Sequence, residues 1–104
     1  DGDNRKTNEV ALDLLNQGMS VKEVSDDLEV SVSAVLGYVY DYIKEDNIIN
    51  FDINTKSYYN ESEKELILNK IDQFGDDKIG LIKKSLPENI KYESIRAIIL
   101  EKYI

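Results

Sequence analysis

Apolar and polar positions alternate along this chain with the period of an α-helix over most of its length. Val10, Ala11, Leu14 and Leu15 form one buried stripe and predict a first helix over 8–17, with Thr7 as its N-cap and Gly18 ending it in a left-handed turn. Ser20-Val21-Lys22-Glu23 is a capping box that starts a second helix over 21–28, with Val21, Val24 and Leu28 inward. The turn is "EVS" at 29–31, where Glu29 occupies the left-handed position that often carries glycine. Ser31 caps a third helix over 32–45. Its Val32, Val35, Leu36, Val39 and Ile43 face inward, and Ser33, Ala34, Gly37, Tyr38, Asp41 and Lys44 face out.

The helical period then stops. Ile49, Phe51 and Ile53 alternate, a strand-like or extended connecting signal. Ser62 to Glu65 reads as a second capping box opening a fourth helix over 63–74, which buries Leu66 or Ile67, Ile71 and Phe74 before Gly75. Asp77 is expected to cap a fifth helix over 78–86, ended by Pro87. A sixth follows over 92–103, with Tyr92, Ile95, Ile99 and Tyr103 inward. The predicted fold is all-α: two three-helix halves, helix-turn-helix or winged-helix-like, joined by an extended connector. The divisions are a disordered linker at 1–6, a helix-turn-helix half at 7–53, a connector at 54–61 and a second half at 62–104.

Composition narrows the chemistry. The 104 residues contain no cysteine and no histidine, which excludes disulfides, thiolate or imidazole metal sites and Ser-His or Cys-His nucleophiles. The acidic run "EDN" at 45–47 lacks the alternating pattern of a calcium loop and reads as a solvated turn. No metal, cofactor or catalytic residue is expected. No apolar run is long enough to span a membrane, and the cysteine-free composition is compatible with the cytoplasm. The polar opening "DGDNRK" suggests a fragment cut from a longer protein.

Net charge is −8, which opposes non-specific phosphate binding. The charge is uneven. Residues 1–60 hold 12 acids and 5 bases, whereas residues 61–104 hold 9 acids and 8 bases. The helix-turn-helix segment itself offers one lysine, Lys22, against Glu23, Asp26, Asp27, Glu29 and Asp41. The outward side chains of its third helix include no Arg, Asn or Gln able to make bidentate contacts to base edges. Tyr38, Tyr40 and Asp41 therefore suggest a protein-docking surface instead. Nucleic-acid contact is better sought at Lys78, Lys83, Lys84, Lys91 and Arg96, on or near the last two helices. Tyr92, with Tyr58 and Tyr59, could stack on unpaired bases.

The stretch "LLNQGMSVKEVSDDLEVSVSAVLGYVYDYIKED" resembles the helix-turn-helix domain at the C-terminus of some bacterial RecQ-family DNA helicases. Gly18, Ser20, Val21, Glu23, Val24, Ser31, Ser33, Val35, Tyr38 and Val39 fall on that family's pattern. So does "FGDDKIGLIKKSLPENIKYESIRAIILEKY", through Gly75, Lys78, Ile79, Ile82, Lys83, Leu86, Pro87, Ile90, Tyr92, Ile95 and Arg96. The departures are Ser25 where alanine is usual, Ala34 where threonine is usual, and Tyr38 where histidine is frequent. The resemblance spans nearly all of residues 7–103. It implies a non-catalytic accessory domain of an ATP-dependent DNA helicase acting in repair and recombination. The expected partners are DNA, contacted weakly through 78–96, and the helicase core of the parent chain or another protein. No G-x-x-x-x-G-K-[ST] phosphate loop occurs, so a motor would lie elsewhere in the parent. Two other readings stand beside it: an acidic protein–protein interaction module, and a helix-turn-helix transcription regulator reading paired half-sites.

Overall fold

The computed structural model describes residues 6–104, and the expected linker at 1–6 lies outside that range except for Lys6. Among the described residues the structure is all-α, with six α-helices, one 3₁₀ turn and no strand. The chain divides into two compact units, Asp1–Ile53 and Asn54–Ile104.

The first unit contains α1 (Thr7–Asn16), α2 (Val21–Leu28) and α3 (Val32–Lys44), each packed on the other two. Short polar signals set their ends. Ser20 Oγ accepts from the Glu23 N–H at 3.1 Å and Glu23 Oε1 accepts from the Ser20 N–H at 2.9 Å, so the capping box is closed in both directions. Ser31 Oγ accepts from the Ala34 N–H at 3.0 Å and starts α3. Thr7 is not the cap of α1. Lys6 takes that place, and Glu9 Oε1 reaches back to the Lys6 N–H at 3.1 Å.

Glu29 ends α2 with φ 58° and ψ 42°. This left-handed conformation costs a non-glycine residue about 1 kcal/mol. The adjacent turn is held by Ser25. Its Oγ donates to the Val30 carbonyl at 2.6 Å, and its own carbonyl accepts from the Val30 N–H at 3.1 Å. A serine at this buried position thus has a partner that alanine would lack. Asp46 is also left-handed, with φ 67°, and Asn47 Nδ2 donates to the Tyr42 carbonyl at 3.0 Å. The "EDN" run is therefore the C-terminal stop of α3.

Ala11, Leu12, Leu15, Val21, Val24, Val35, Leu36 and Val39 form the core of this unit. Gly37, expected outward, is buried on α3, while Val32 and Ile43, expected inward, are only half-buried. Residues 48–53 are neither helix nor strand and bend at Phe51, with Ile49, Phe51 and Ile53 half-buried and the residues between them exposed.

In the second unit a 3₁₀ turn (Thr55–Tyr58) precedes α4 (Glu61–Phe74), α5 (Ile79–Lys84) and α6 (Tyr92–Glu101). Much of the stretch expected to be a plain connector is thus folded, and the 3₁₀ turn packs on α6. The fourth-helix capping box is also displaced by two residues. The box is formed by Asn60 and Glu63 in place of Ser62 and Glu65: Asn60 Oδ1 accepts from the Glu63 N–H at 2.9 Å, and Glu63 Oε1 accepts from the Asn60 N–H at 3.1 Å. Asp77 does not cap α5, whose N-cap is Lys78 with no side-chain hydrogen bond.

α6 is the centre of this unit and contacts α4, α5 and the 3₁₀ turn. Ser94, Ile95 and Ala97 through Leu100 are buried along it. Ile67 and Ile71 of α4, Ile82 of α5, and Leu86 and Ile90 of the turn after α5 complete the core.

Candidate nucleic-acid interface

The α5 helix is only six residues long, so its few side chains fall into two groups. Ile82 is buried, while Leu81 and Lys84 are exposed. Leu81 lies three residues from both Lys78 and Lys84, so the outer side of α5 reads lysine, leucine, lysine. Leu81 is 51% exposed. Its exposure went unrecognised in the sequence because it lies beside the helical positions of Ile79 and Ile82.

Lys83 instead lies half-buried toward α6. Its Nζ stands 5.7 Å from the centroid of the Tyr92 ring, a cation–π distance, and 3.5 Å from the Glu88 carbonyl. Tyr92 is the first residue of α6 and is 44% exposed, not inward as its spacing with Ile95 and Ile99 suggested. The first turn of α6 carries its side chain out toward α5. Arg96 follows one helical turn later on the same side. Its Nε is buried with no acceptor. Lys91 is the N-cap of α6 and is exposed.

Five of the residues expected to meet nucleic acid are cations: Lys78, Lys83, Lys84, Lys91 and Arg96. None of them pairs with a carboxylate among the described residues, whereas Lys22, Lys64 and Lys102 do. Of the set, Lys83 and Tyr92 are in direct contact and Arg96 shares the helix side of Tyr92. Lys78 and Lys84 share the outer side of α5. Lys91 lies at a separate shallow recess of about 320 Å³ with Tyr58, Tyr59, Glu63 and Glu93.

The Tyr59 side chain is already committed, whereas Tyr58 is held through its backbone. The Tyr59 hydroxyl donates to Glu101. Burial, that bond and the nearby negative charges raise its pKa from 10.0 to about 12. The Tyr58 carbonyl accepts from Ser94 Oγ at 2.5 Å. Burial and the Glu93 carboxylate raise the Tyr58 phenol as well, against a hydrogen bond with Ser57.

In the first unit, a groove of about 490 Å³ runs between α1 and α3. Leu12, Tyr38 and Tyr42 give it apolar walls, and Glu9, Asp41 and Glu45 line it with carboxylates. Tyr38 and Asp41 thus meet at one surface. Tyr40 is not part of the groove; its ring lies 5.9 Å from Lys44 Nζ. Tyr42 and Glu45 were missed in the sequence, although they lie on the Tyr38–Asp41 side of α3 at helical spacing.

Among the described residues no three carboxylates gather as a metal site, and no helix is long and apolar enough to cross a membrane. No curated protein and no solved structure matches the chain. A family model described as a helix-turn-helix domain matches residues 7–99, running from the start of α1 through most of α6. The chain belongs to this helix-turn-helix domain family.

Proposed function

We propose that this chain is a non-catalytic accessory domain of a RecQ-type DNA helicase, acting in the cytoplasm, that helps place DNA during repair and recombination. It does so through the α5–α6 face of its second unit. The observation that carries this reading is the set of five cations on and around two packed helices, none neutralised by a carboxylate among the described residues. Such unspent charge is what phosphate contact requires, because positioning on nucleic acid is achieved mainly through lysine and arginine on phosphate oxygens. The resemblance of both halves to the RecQ C-terminal domain favours the same direction, and the helix-turn-helix family match is compatible with it. A base-reading regulator is served less well. The third helix of the first unit presents Ser33, Tyr38 and Asp41 outward, and these lack bidentate donors.

A salt titration tests the proposal. Three phosphate contacts give a log–log slope of about −2 to −3 for binding to DNA. Lys78→Ala and Lys84→Ala together are expected to reduce the magnitude of that slope by about 1 to 2. Absence of binding at low salt, or a slope indifferent to both lysines, would reject the α5–α6 face.

The α1–α3 groove favours a second reading, in which the first unit docks on a basic protein surface such as the helicase core. Its carboxylates would supply the field, and Tyr38 and Tyr42 the anchors. Tyr38→Ala and Asp41→Lys are each expected to weaken capture of that core roughly tenfold or more. Unchanged capture would remove this surface from consideration.

A further inference from the structure

We infer that the ligand of the α5–α6 face is a single strand, with Tyr92 stacking on an unpaired base while Lys83 and Arg96 hold the flanking phosphates. This rests on the nucleic-acid reading above and specifies it.

Tyr92 is the most exposed aromatic side chain among the described residues. Tyr58 and Tyr59, the other rings expected to stack on bases, are half-buried. Lys83 and Arg96 flank it, one in cation–π contact and one a helical turn away, and neither has a carboxylate partner among the described residues. The one protein hydrogen bond of Lys83, to the Glu88 carbonyl, is 3.5 Å long, the outer limit of such a bond. Exchanging it for a phosphate oxygen sacrifices little. A ring bordered by cations is the combination that single-strand sites use, since every base offers a π-face and every nucleotide a phosphate.

The same geometry disfavours a duplex. Beyond its first two residues, α6 is buried at Ser94, Ile95 and Ala97 through Leu100, and only Arg96 interrupts this run. A recognition helix lying in a major groove needs an outward side along its length. The connection from α5 to α6 spans residues 85–91, longer than the three or four residues of a helix-turn-helix turn. Inside a duplex, moreover, both faces of each base are covered by neighbouring pairs, so a tyrosine ring has nothing to stack on. Unpaired bases leave a face open.

The test uses the whole chain and three labelled probes of equal length, about 15 nucleotides, within the range of known single-strand site sizes. These are oligothymidylate, an abasic strand with the same phosphates, and a blunt duplex. Fluorescence anisotropy at low salt should show oligothymidylate bound most tightly. Tyr92→Leu should weaken oligothymidylate roughly 5- to 150-fold and leave the other two unchanged, while Tyr92→Phe retains binding. If Tyr92→Leu changes nothing, or weakens all three probes alike, stacking is overturned and the DNA reading survives. The same holds if Tyr92→Phe fails as badly as Tyr92→Leu, or if the duplex binds most tightly. If the unaltered chain binds none of the probes, both readings fall.

Discussion

Replacing Ile95 with alanine is expected to lower the unfolding free energy of the second unit by about 2–5 kcal/mol. Ile95 is fully buried at the centre of α6, the helix against which α4, α5 and the 3₁₀ turn all pack. Shortening it removes apolar contact and leaves a cavity that three surrounding elements cannot all close. A total of ~5–15 kcal/mol is typical for a domain, so the loss is a large fraction of what holds this unit folded. Leu81→Ala is the matched control. It removes a similar aliphatic group one helix away, but at a side chain that is half exposed, and should change stability by less than about 0.5 kcal/mol. Urea denaturation followed by circular dichroism measures both. Equal losses from the two variants would contradict the central position of α6.

The features legible in the sequence are those decided within a few residues. The Ser20–Glu23 capping box, the Ser31 cap and the left-handed Glu29 follow from local hydrogen bonds and backbone sterics, and the structure has all three. Capping was misread where several candidates stood close together. Asn60 and Ser62 both precede a glutamate at the right spacing, and Asn60 prevails, with α4 beginning at Glu61. The burial pattern of α6 was misread for a different reason. A stripe at helical spacing assumes a helix with one buried side, which led to Tyr92, Ile95 and Ile99. With three partners packed around it, α6 also buries Ala97, Ile98 and Leu100, and its first residue is left outside. Of the candidate site, the lysines were legible as charge, but their lack of carboxylate partners and the Lys83–Tyr92 contact depend on how α5 and α6 pack. The folded stretch before α4 is the least legible of all. Its anchor is a glutamate more than 40 residues away in sequence, beyond the reach of any local rule.

That anchor, Glu101, is where the second large effect is expected. Thr55 Oγ1 donates to Glu101 Oε2 at 2.7 Å, the Tyr59 hydroxyl donates to the same oxygen, and Lys64 Nζ lies 3.7 Å from Oε1. Burial alone would favour the neutral acid. The two hydroxyls and the ammonium outweigh it, so the carboxyl titrates below its ordinary value of 4.5. Glu101→Ala removes the acceptor of both hydroxyls, that of the buried Thr55 included, and is expected to cost about 2–3 kcal/mol. The pH dependence distinguishes charge from mere packing. Because the folded pKa is depressed, the contribution of Glu101 is fully present above its unfolded value and is lost as pH falls through the folded one. Tyr59 acts at the opposite limit. Its pKa is raised from 10.0 to about 12, so its contribution is complete below 10 and is lost as pH rises to about 12. Glu101→Gln keeps an acceptor oxygen and no charge. The stability gap between the unaltered chain and the Glu101→Gln variant should therefore narrow as pH falls from about 6 through the depressed pKa of the folded chain, below which the glutamic acid is itself neutral. A gap that stays constant over that range would mean that the charge of Glu101 does not hold the 3₁₀ turn to α6, and that the turn is fixed by packing instead.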